Sequence, residues 1–285
     1  MKTLLRSFLV IGSLASVSAA TTINPANKYA WGANVGWLDW RGDTSNGAVI
    51  GEYVCSGYVY AANVGWINLG SGSPTNGIYY QNLSAIDFGV NQDGLGNLRG
   101  YAWGANIGWI NFETIGAPRA DLTTGNLTGY AYSANCGWIG LSNAFALVQT
   151  DTIAPGAPDT NGLPTAWELL NFGQTGVDPN ADPDHDGMSN QQEYLAGTDP
   201  KDGNDHLRIT GYATAPGGTT NAVTWTSTPT RLYYLQKTLG LDSSPWLDSG
   251  LGIISPAGAT TTRGVADTNA PMRFYRVEAI RPLSP

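Results

Sequence analysis

Histidine and cysteine are scarce in this chain, with two residues of each among 285. Both histidines, His185 and His206, lie in or beside a single acidic segment. A Ser–His–Asp or Cys–His catalytic site therefore has no histidine to use anywhere else in the chain. Charged residues of either sign make up only 13% of the sequence. No catalytic constellation is visible, and we expect a protein that is not an enzyme.

A surplus of positive charge is also missing. Eleven of the 22 acidic residues lie between residues 151 and 205, where Lys201 is the single base. The flanking regions, 21–150 and 206–285, together carry eleven acids and eleven bases. This balance argues against nucleic acid or anionic lipid as a partner. Cations are the expected partner of the acidic segment.

Long apolar runs are absent except at the start of the chain. Lys2 and Arg6 precede or interrupt an apolar run that ends near Val17, and small residues at Ala19 and Ala20 follow. This pattern predicts a signal peptide over residues 1–20 and an exported protein, secreted or held at the cell surface. An uncleaved anchor is the alternative, but the run is short for a bilayer span and lacks a second basic flank. After cleavage, we expect no segment to enter a membrane.

A ten-residue phrase of aromatic residues, small residues and asparagine occurs four times, at residues 29–38, 58–67, 101–110 and 130–139. The recurring tryptophans are 29, 43 and 29 residues apart, which indicates that a two-phrase unit has been duplicated. Each phrase alternates with period two around a turn rich in glycine and asparagine, so each predicts a β-hairpin. Residues 21–150 are therefore predicted to form an antiparallel β repeat domain with pseudo-twofold symmetry.

Large aromatic residues at one phase of every phrase are what a repeated core needs. We therefore expect core packing for the recurring tryptophans, Trp37, Trp66, Trp109 and Trp138. Contact with a polysaccharide is the alternative role, for which the less regular Trp31, Trp40 and Trp103 are the candidates. The asparagines of the phrases are predicted to form turns rather than to bind a ligand, namely Asn34, Asn63, Asn106 and Asn135. For Cys55 and Cys136, a disulfide and two buried thiols are equal alternatives.

Residues 182–193 match every required position of a twelve-residue calcium loop. A calcium ion takes six to eight oxygen ligands, and such a loop supplies them from positions 1, 3, 5, 7, 9 and 12 around a glycine at position 6. Here Gly187 is at the turn, and the predicted ligands are Asp182, Asp184, Asp186, the carbonyl of Met188, Asn190 through a water molecule, and Glu193. A solvated acidic linker is the alternative, but carboxylates this close repel one another unless a cation lies among them.

An earlier stretch repeats part of this pattern. Asp159, Asn161 and Glu168 match positions 3, 5 and 12, whereas Ala157 stands where the first carboxylate should be. This loop is expected to bind calcium weakly or to act only as a structural mate. Each loop leads into a short helix with a capping box, Thr165 with Glu168 and Ser189 with Gln192, and with a glycine stop at Gly173 or Gly197. The two helices are expected to share a small core of Trp167, Leu170, Phe172, Tyr194 and Leu195.

Residues 159–205 resemble the thrombospondin type 3 and dockerin-like calcium repeats of secreted bacterial proteins. The resemblance implies that Asp199, in the Gly-Thr-Asp-Pro that follows the loop, is an additional ligand. The four aromatic phrases are also similar to repeats of exported bacterial proteins, to which no activity is attached. The short alternating strands of residues 206–285 resemble a fibronectin type III or immunoglobulin-like sandwich, in which Trp225 and Tyr275 would anchor the core.

The sequence thus predicts a mainly β protein of three modules, 21–150, 151–205 and 206–285. The leading hypothesis is an exported, calcium-binding, non-enzymatic protein of the cell surface or extracellular matrix with a role in adhesion. The alternative is a carbohydrate-binding protein that uses tryptophans of the repeat domain. Besides calcium, the expected partners are polysaccharide or other surface proteins.

Overall fold

A computed structural model describes residues 21–42, 45–215, 219–241, 244–266 and 273–284. The predicted signal peptide, residues 1–20, lies outside the described residues. The described part is mainly β, with antiparallel sheets and two short helices, which confirms the predicted fold class at this level. It falls into two compact units: the first unit comprises residues 21–176 with 283–284, and the second unit comprises residues 177–282.

The first unit contains twelve described strands and one helix. These are β1 (Ile23–Gly32), β2 (Gly36–Asp39), β3 (Ser56–Ala61), β4 (Gly65–Ser71), β5 (Val90–Gln92), β6 (Leu98–Gly104), β7 (Gly108–Asn111), β8 (Arg119–Ala120), β9 (Asn126–Thr128), β10 (Tyr130–Ser133), β11 (Gly137–Gly140), β12 (Val148–Thr150) and α1 (Thr165–Phe172). The second unit contains α2 (Asn190–Ala196), β13 (Ile209–Thr214), β14 (Thr220–Thr226), β15 (Leu232–Thr238), β16 (Leu247–Asp248), β17 (Thr260–Ala266) and β18 (Phe274–Ile280).

Each aromatic phrase forms a β-hairpin, as predicted: β1–β2, β3–β4, β6–β7 and β10–β11. The four hairpins lie side by side in one sheet, and β11 pairs back onto β1 through Trp31–Gly140 and Gly32–Ile139. The pairing closes the sheet into a barrel-like ring of eight strands. β5 pairs with β6, and β12, β9 and β8 follow β1 in the strand order of the sheet. All four hairpins thus share one closed sheet, and their inward-facing side chains meet in one core.

The interior of the closed sheet is filled by small and aliphatic side chains. At each hairpin an alanine or valine of the first strand faces a leucine or isoleucine of the second, and all are at most 3% exposed: Ala30 and Leu38, Val59 and Ile67, Ala102 and Ile110, Ala131 and Ile139. An eight-stranded ring is just wide enough for such side chains to fill. The remaining apolar cavity is ≈ 20 Å³, which leaves no space for an organic ligand.

The hairpin turns form a ring of equivalent hydrogen bonds at one end of the sheet. In each turn the asparagine donates its Nδ2 hydrogen to a backbone carbonyl of the neighbouring hairpin at 3.0–3.1 Å: Asn34 to Cys136, Asn63 to Val35, Asn106 to Val64 and Asn135 to Ile107. The asparagines lie in turns as predicted, and their side chains join one hairpin to the next. The glycine that follows each turn has a positive φ of 71–79°, a conformation that favours glycine.

The prediction for the recurring tryptophans is wrong. Trp37, Trp66, Trp109 and Trp138 are 44–50% exposed on the outer face of the closed sheet. The alternation of the hairpins is as expected, but the alanine and isoleucine face is the inner one, because four indole rings at one level would not fit inside eight strands. Trp40, predicted to contact a ligand, is only 3% exposed and belongs to the core.

The two cysteines are buried free thiols, which decides between the two alternatives. Cys136 lies at the turn of the last hairpin, and Cys55 just precedes β3. Burial raises the pKa of the Cys55 thiol to about 12, so this group stays protonated and unreactive at neutral pH.

The second unit places two three-stranded antiparallel sheets, β13-β14-β17 and β16-β15-β18, around one buried core. Trp225 and Tyr275, the predicted anchors, are both buried in it. Helix α2 joins this core through Ala196, and the Tyr194 ring is packed under the guanidinium groups of Arg231 and Arg281. The predicted capping box of Ser189 and Gln192 is present, and Gly197 ends the helix at φ 74°.

Helix α1 belongs to the first unit. Its start differs from the prediction, whereas its end agrees with it. Pro164 occupies the N-cap position without a side-chain hydrogen bond, so the expected capping box of Thr165 and Glu168 does not form. Gly173 ends the helix as predicted. Trp167 is buried against Phe172, but Leu170 is 54% exposed and is not a core residue. The two loop–helix segments are thus divided between the two compact units.

Candidate metal centre and aromatic belt

The calcium loop predicted at residues 182–193 is held by hydrogen bonds from its own backbone. Asp182 accepts from the N–H groups of His185 and Gly187 at 2.8 and 3.0 Å, and one oxygen of Asp186 accepts from Met188 N at 2.8 Å. His185 and Gly187 have positive φ values of 63° and 95°, which turn the chain tightly. As a result, carboxylate oxygens of Asp182, Asp184 and Asp186 lie within 4.8 Å of one another.

Four side-chain oxygens of this loop and its helix are buried without a hydrogen-bond partner among the described residues. They are Asp184 Oδ2, Asp186 Oδ2, Asn190 Oδ1 and Glu193 Oε2. A buried polar atom without a partner costs roughly 1–3 kcal/mol, and more for a charged group. All four atoms are acceptors, so the missing partner is a donor or a cation.

The nearby His206 does not donate a hydrogen bond to these buried oxygens. His206 Nδ1 lies 3.2 Å from Asp186 Oδ2, but it also lies 3.1 Å from Gly203 O, to which its hydrogen is directed. Its Nε2 is 2.7 Å from Arg208 Nη1, a group that can only donate, so the proton of a neutral ring must be on Nδ1. The ring therefore closes one side of the loop without satisfying Asp186.

Glu193 is the most buried member of the group, with no exposed surface. Its Oε1 accepts a hydrogen bond from Thr198 Oγ1 at 2.9 Å, and its Oε2 has none. Burial raises the pKa of Glu193 to about 8, and the negative charges of Asp186, Asp184 and Asp205 add to the effect. The pKa of Asp184 is also raised, first by burial and then by its acidic neighbours. Without a cation, Glu193 therefore keeps its proton at pH values where a free glutamate would lose it.

Two further predicted ligands are placed by their own contacts. Asn190 donates its Nδ2 hydrogen to Asp178 O at 2.8 Å, which leaves Oδ1 as the atom available to the loop. Asp199 is exposed, and its Oδ1 accepts from Lys201 N at 3.0 Å, a local turn outside the aspartate cluster. The side chain of Met188 packs against the core of the second unit.

The segment after α2 also contacts the loop, which the sequence analysis missed. A Cβ atom at Gly203 would lie 3.3 Å from Asp184 O, so this glycine allows a close approach. Asp205 adds negative charge near Glu193, and its Oδ2 accepts from Asp199 N at 3.1 Å. The signal was the second cluster of acidic residues at 202–205, directly after the Gly-Thr-Asp-Pro.

The first loop, with Asp159, Asn161 and Glu168, is arranged differently. Asn161 Oδ1 accepts from Leu163 N at 2.7 Å, so its Nδ2 must be the atom that donates to Glu168 Oε1, also at 2.7 Å. Asp159 accepts from the N–H groups of Asn161 and Gly176. An amide hydrogen of Asn161 thus bonds one oxygen of Glu168, and this loop has no carboxylate at position 1 or position 5.

A belt of aromatic rings encircles the closed sheet. Each hairpin contributes three rings on its outer face: Tyr29, Trp31 and Trp37; Tyr58, Tyr60 and Trp66; Tyr101, Trp103 and Trp109; Tyr130, Tyr132 and Trp138. All except the partly buried Tyr101 are 38–50% exposed. Trp31 and Trp103, the candidates for polysaccharide contact, are therefore accessible, and ten further rings lie on the same outer face. We call these twelve rings the aromatic belt.

Comparison with protein-family models, with curated proteins and with solved structures gave no match for this chain. Among the described helices, none combines the length and the hydrophobicity that a membrane span needs.

Proposed function

We propose that this chain is a calcium-binding, non-enzymatic protein of the cell surface or extracellular matrix. The observation that carries the proposal is the group of four buried oxygens without partners in the loop and α2. Calcium prefers oxygen ligands and tolerates varied geometry, so we place one ion at the aspartate oxygens that lie within 4.8 Å of one another, with Asn190 and Glu193 as further ligands.

The ligands we assign are Asp182, Asp184, Asp186, the Met188 carbonyl, Asn190 through water, and Glu193. Asp205 is close enough to influence Glu193 and adds to the negative field that attracts the ion. We assign no ion to the first loop, because it lacks carboxylates at positions 1 and 5 and the cluster of three acidic groups found among the described residues is in the second loop. Asp199 is left out as well, because its carboxylate caps a local turn.

Calcium would act here as a structural clamp. The predicted ligands come from the loop and from the first turn of α2, and α2 packs onto the core of the second unit. Binding would therefore tie the acidic segment to the β module that follows it. Export, a role in adhesion, the duplication of the repeat and the fibronectin-like nature of the second unit remain parts of the proposal. The two sheets around a single core support the last of these.

The test uses residues 21–285, stripped of metal with a chelator. Isothermal titration with calcium should show one ion per chain. Limited proteolysis should cut residues 177–205 much more slowly in calcium than in chelator. Equal cleavage rates in both conditions, together with no titration heat, would overturn the proposal.

A further inference from the structure

The aromatic belt has a fixed internal geometry. In each hairpin the recurring tryptophan is wedged against the tyrosine eight positions earlier, with ring centroids 6.0–6.2 Å apart and planes 70–82° apart. In three hairpins the middle ring also contacts the tryptophan at 4.7–4.9 Å. Edge contacts of this kind hold the indole in place while much of its surface stays exposed. The rings are therefore ordered before any partner arrives, which lowers the entropy lost on binding.

Polar side chains stand between neighbouring clusters. Two positions after the recurring tryptophan, Asp39, Asn68 and Asn111 lie in register beside Tyr60, Trp103 and Tyr132 of the next hairpin. Asn68 Oδ1 accepts from Gly70 N at 2.8 Å, so its amide hydrogens are directed away from that bond. Three of the four seams thus place a polar side chain beside an aromatic ring, whereas at the fourth seam Gly140 lies beside Trp31.

The belt carries almost no net charge. Asp39 is the one charged residue among these outward-facing rings and seam residues, and Lys28 Nζ donates to it at 2.7 Å. The partner should therefore be neutral and should combine C–H faces with hydroxyl groups. The weakly positive C–H bonds of a pyranose ring match the negative face of an indole, and its hydroxyls match the seam groups.

The placement of the rings around a closed sheet further restricts the kind of partner that can bind the belt. A flat lipid bilayer can touch only one side of such a ring, and a second copy of the chain would cover only one or two hairpins. A polymer chain can reach every cluster. We propose that the aromatic belt binds a neutral polysaccharide, with one stacking site on each of the four hairpins.

The experiment measures binding of residues 21–285 to insoluble cellulose, chitin, xylan, β-1,3-glucan and starch, in the presence of chelator and of calcium. Alginate serves as a charged polysaccharide and phosphatidylcholine vesicles as a lipid surface. The variants are the four single changes Trp37→Ala, Trp66→Ala, Trp109→Ala and Trp138→Ala, their combination, and the same four positions changed to Tyr. Tyr212→Ala is the matched control, because this ring is 54% exposed in the second unit.

We expect binding to at least one neutral polysaccharide, with or without calcium, so a failure of the calcium proposal would not affect it. Each single alanine change should weaken binding about 5- to 10-fold, because a well-placed ring contributes on the order of 1 kcal/mol. The combined alanine variant should not bind, whereas the tyrosine variants and Tyr212→Ala should keep most of the affinity. If the combined variant does not fold, the single and tyrosine variants still decide.

Three results would overturn the proposal. The first is no binding to any of the neutral polysaccharides. The second is binding that the tryptophan changes leave intact. The third is binding to vesicles, or self-association in sedimentation, that is lost in the alanine variants while polysaccharide binding is absent, which would assign the belt to a lipid surface or to a second copy.

Discussion

The two loop–helix segments share a pattern but differ at position 1, where Ala157 stands in place of Asp182, and at position 5. In the first loop this position is Asn161, whose amide hydrogen bonds Glu168 from within the loop. In the second loop it is Asp186, which cannot donate, and the hydrogen bond to Glu193 comes from Thr198, outside the loop. In the second loop three aspartate carboxylates lie within 4.8 Å of one another, and Asp184, Asp186 and Asn190 each keep a buried acceptor oxygen without a hydrogen-bond partner among the described residues.

The two segments therefore differ in how many carboxylates the fold brings together. The second loop combines three aspartates with the buried Glu193, whereas the first has only Asp159 and Glu168. Burial and the neighbouring carboxylates raise the pKa of Glu193 to about 8, a cost that a bound cation would remove. The following predictions test this difference between the loops.

The largest effect is expected for Glu193→Gln. The amide keeps the shape of the side chain but loses the bidentate carboxylate, so calcium affinity should fall by about 100-fold or more. Isothermal titration measures the change. Glu168→Gln, the same change in the first loop, is the matched control and should leave calcium binding unaltered. Equal losses in both variants would show that the loops do not differ as described.

The pH dependence should be the next largest effect. Because calcium must displace the proton of Glu193, affinity should fall roughly 50-fold from pH 8 to pH 6 for a pKa of about 8. Titrations across this range measure it.

The stability of the metal-free protein should depend on pH in the opposite direction from the calcium affinity. The folded pKa of Glu193 lies above its ordinary value of 4.5, so the metal-free fold holds a proton that the unfolded chain releases. Stability in chelator should therefore decrease as pH rises from about 4.5 to 8. Saturating calcium should abolish this decrease. Melting curves with the same pH dependence in chelator and in calcium would contradict the role given to Glu193.

A smaller loss is expected for Thr198→Val. This change keeps the volume and removes the hydrogen bond to Glu193 Oε1, which helps to hold the carboxylate in place. Removal of such outer contacts weakens metal binding about 10-fold. Thr260→Val, at an exposed strand position, is the control for the general effect of losing a hydroxyl. A Thr198 variant with unchanged affinity would show that Glu193 is positioned by other contacts.

The smallest effect should come from repairing the first loop. The double change Ala157→Asp and Asn161→Asp supplies the missing first carboxylate and removes the amide donor. We expect a weak second ion in the titration. Asn161→Asp alone should lower the melting temperature in chelator, because it places a second negative charge beside Glu168. A double variant that still binds one ion would mean that the backbone of this loop cannot adopt a binding geometry.

Local patterns predicted local structure well. The four hairpins follow from period-two alternation around glycine and asparagine turns. The start of α2 follows from Ser189 and its end from Gly197. The aspartate cluster of residues 182–193 could be located from its spacing, and its binding of calcium stays a prediction. The contribution of Asp205 and Gly203 was missed, because their contact with the loop depends on how the chain turns after α2.

The same patterns could not predict which face of the sheet lies inside the closed ring. Alternation shows that Tyr29 and Trp31 share one face and Ala30 and Gly32 the other, but not which face is inside. That choice depends on the closure of β11 onto β1, a contact between residues more than 100 positions apart. Once eight strands close, the interior accepts only the smaller set, and the largest side chains must lie outside.

Closure of the ring also dictates when the first unit can finish folding. β1 pairs with β2 at once, but its other edge must wait for β11 and β12, near the end of the unit. Long-range pairing of this kind is slow and leaves sheet edges open in the meantime. A chain that emerges from its N-terminus would therefore carry unpaired edges until residue 140 is available. Loss of any single hairpin would leave a permanent gap, so the number of repeats is fixed by geometry.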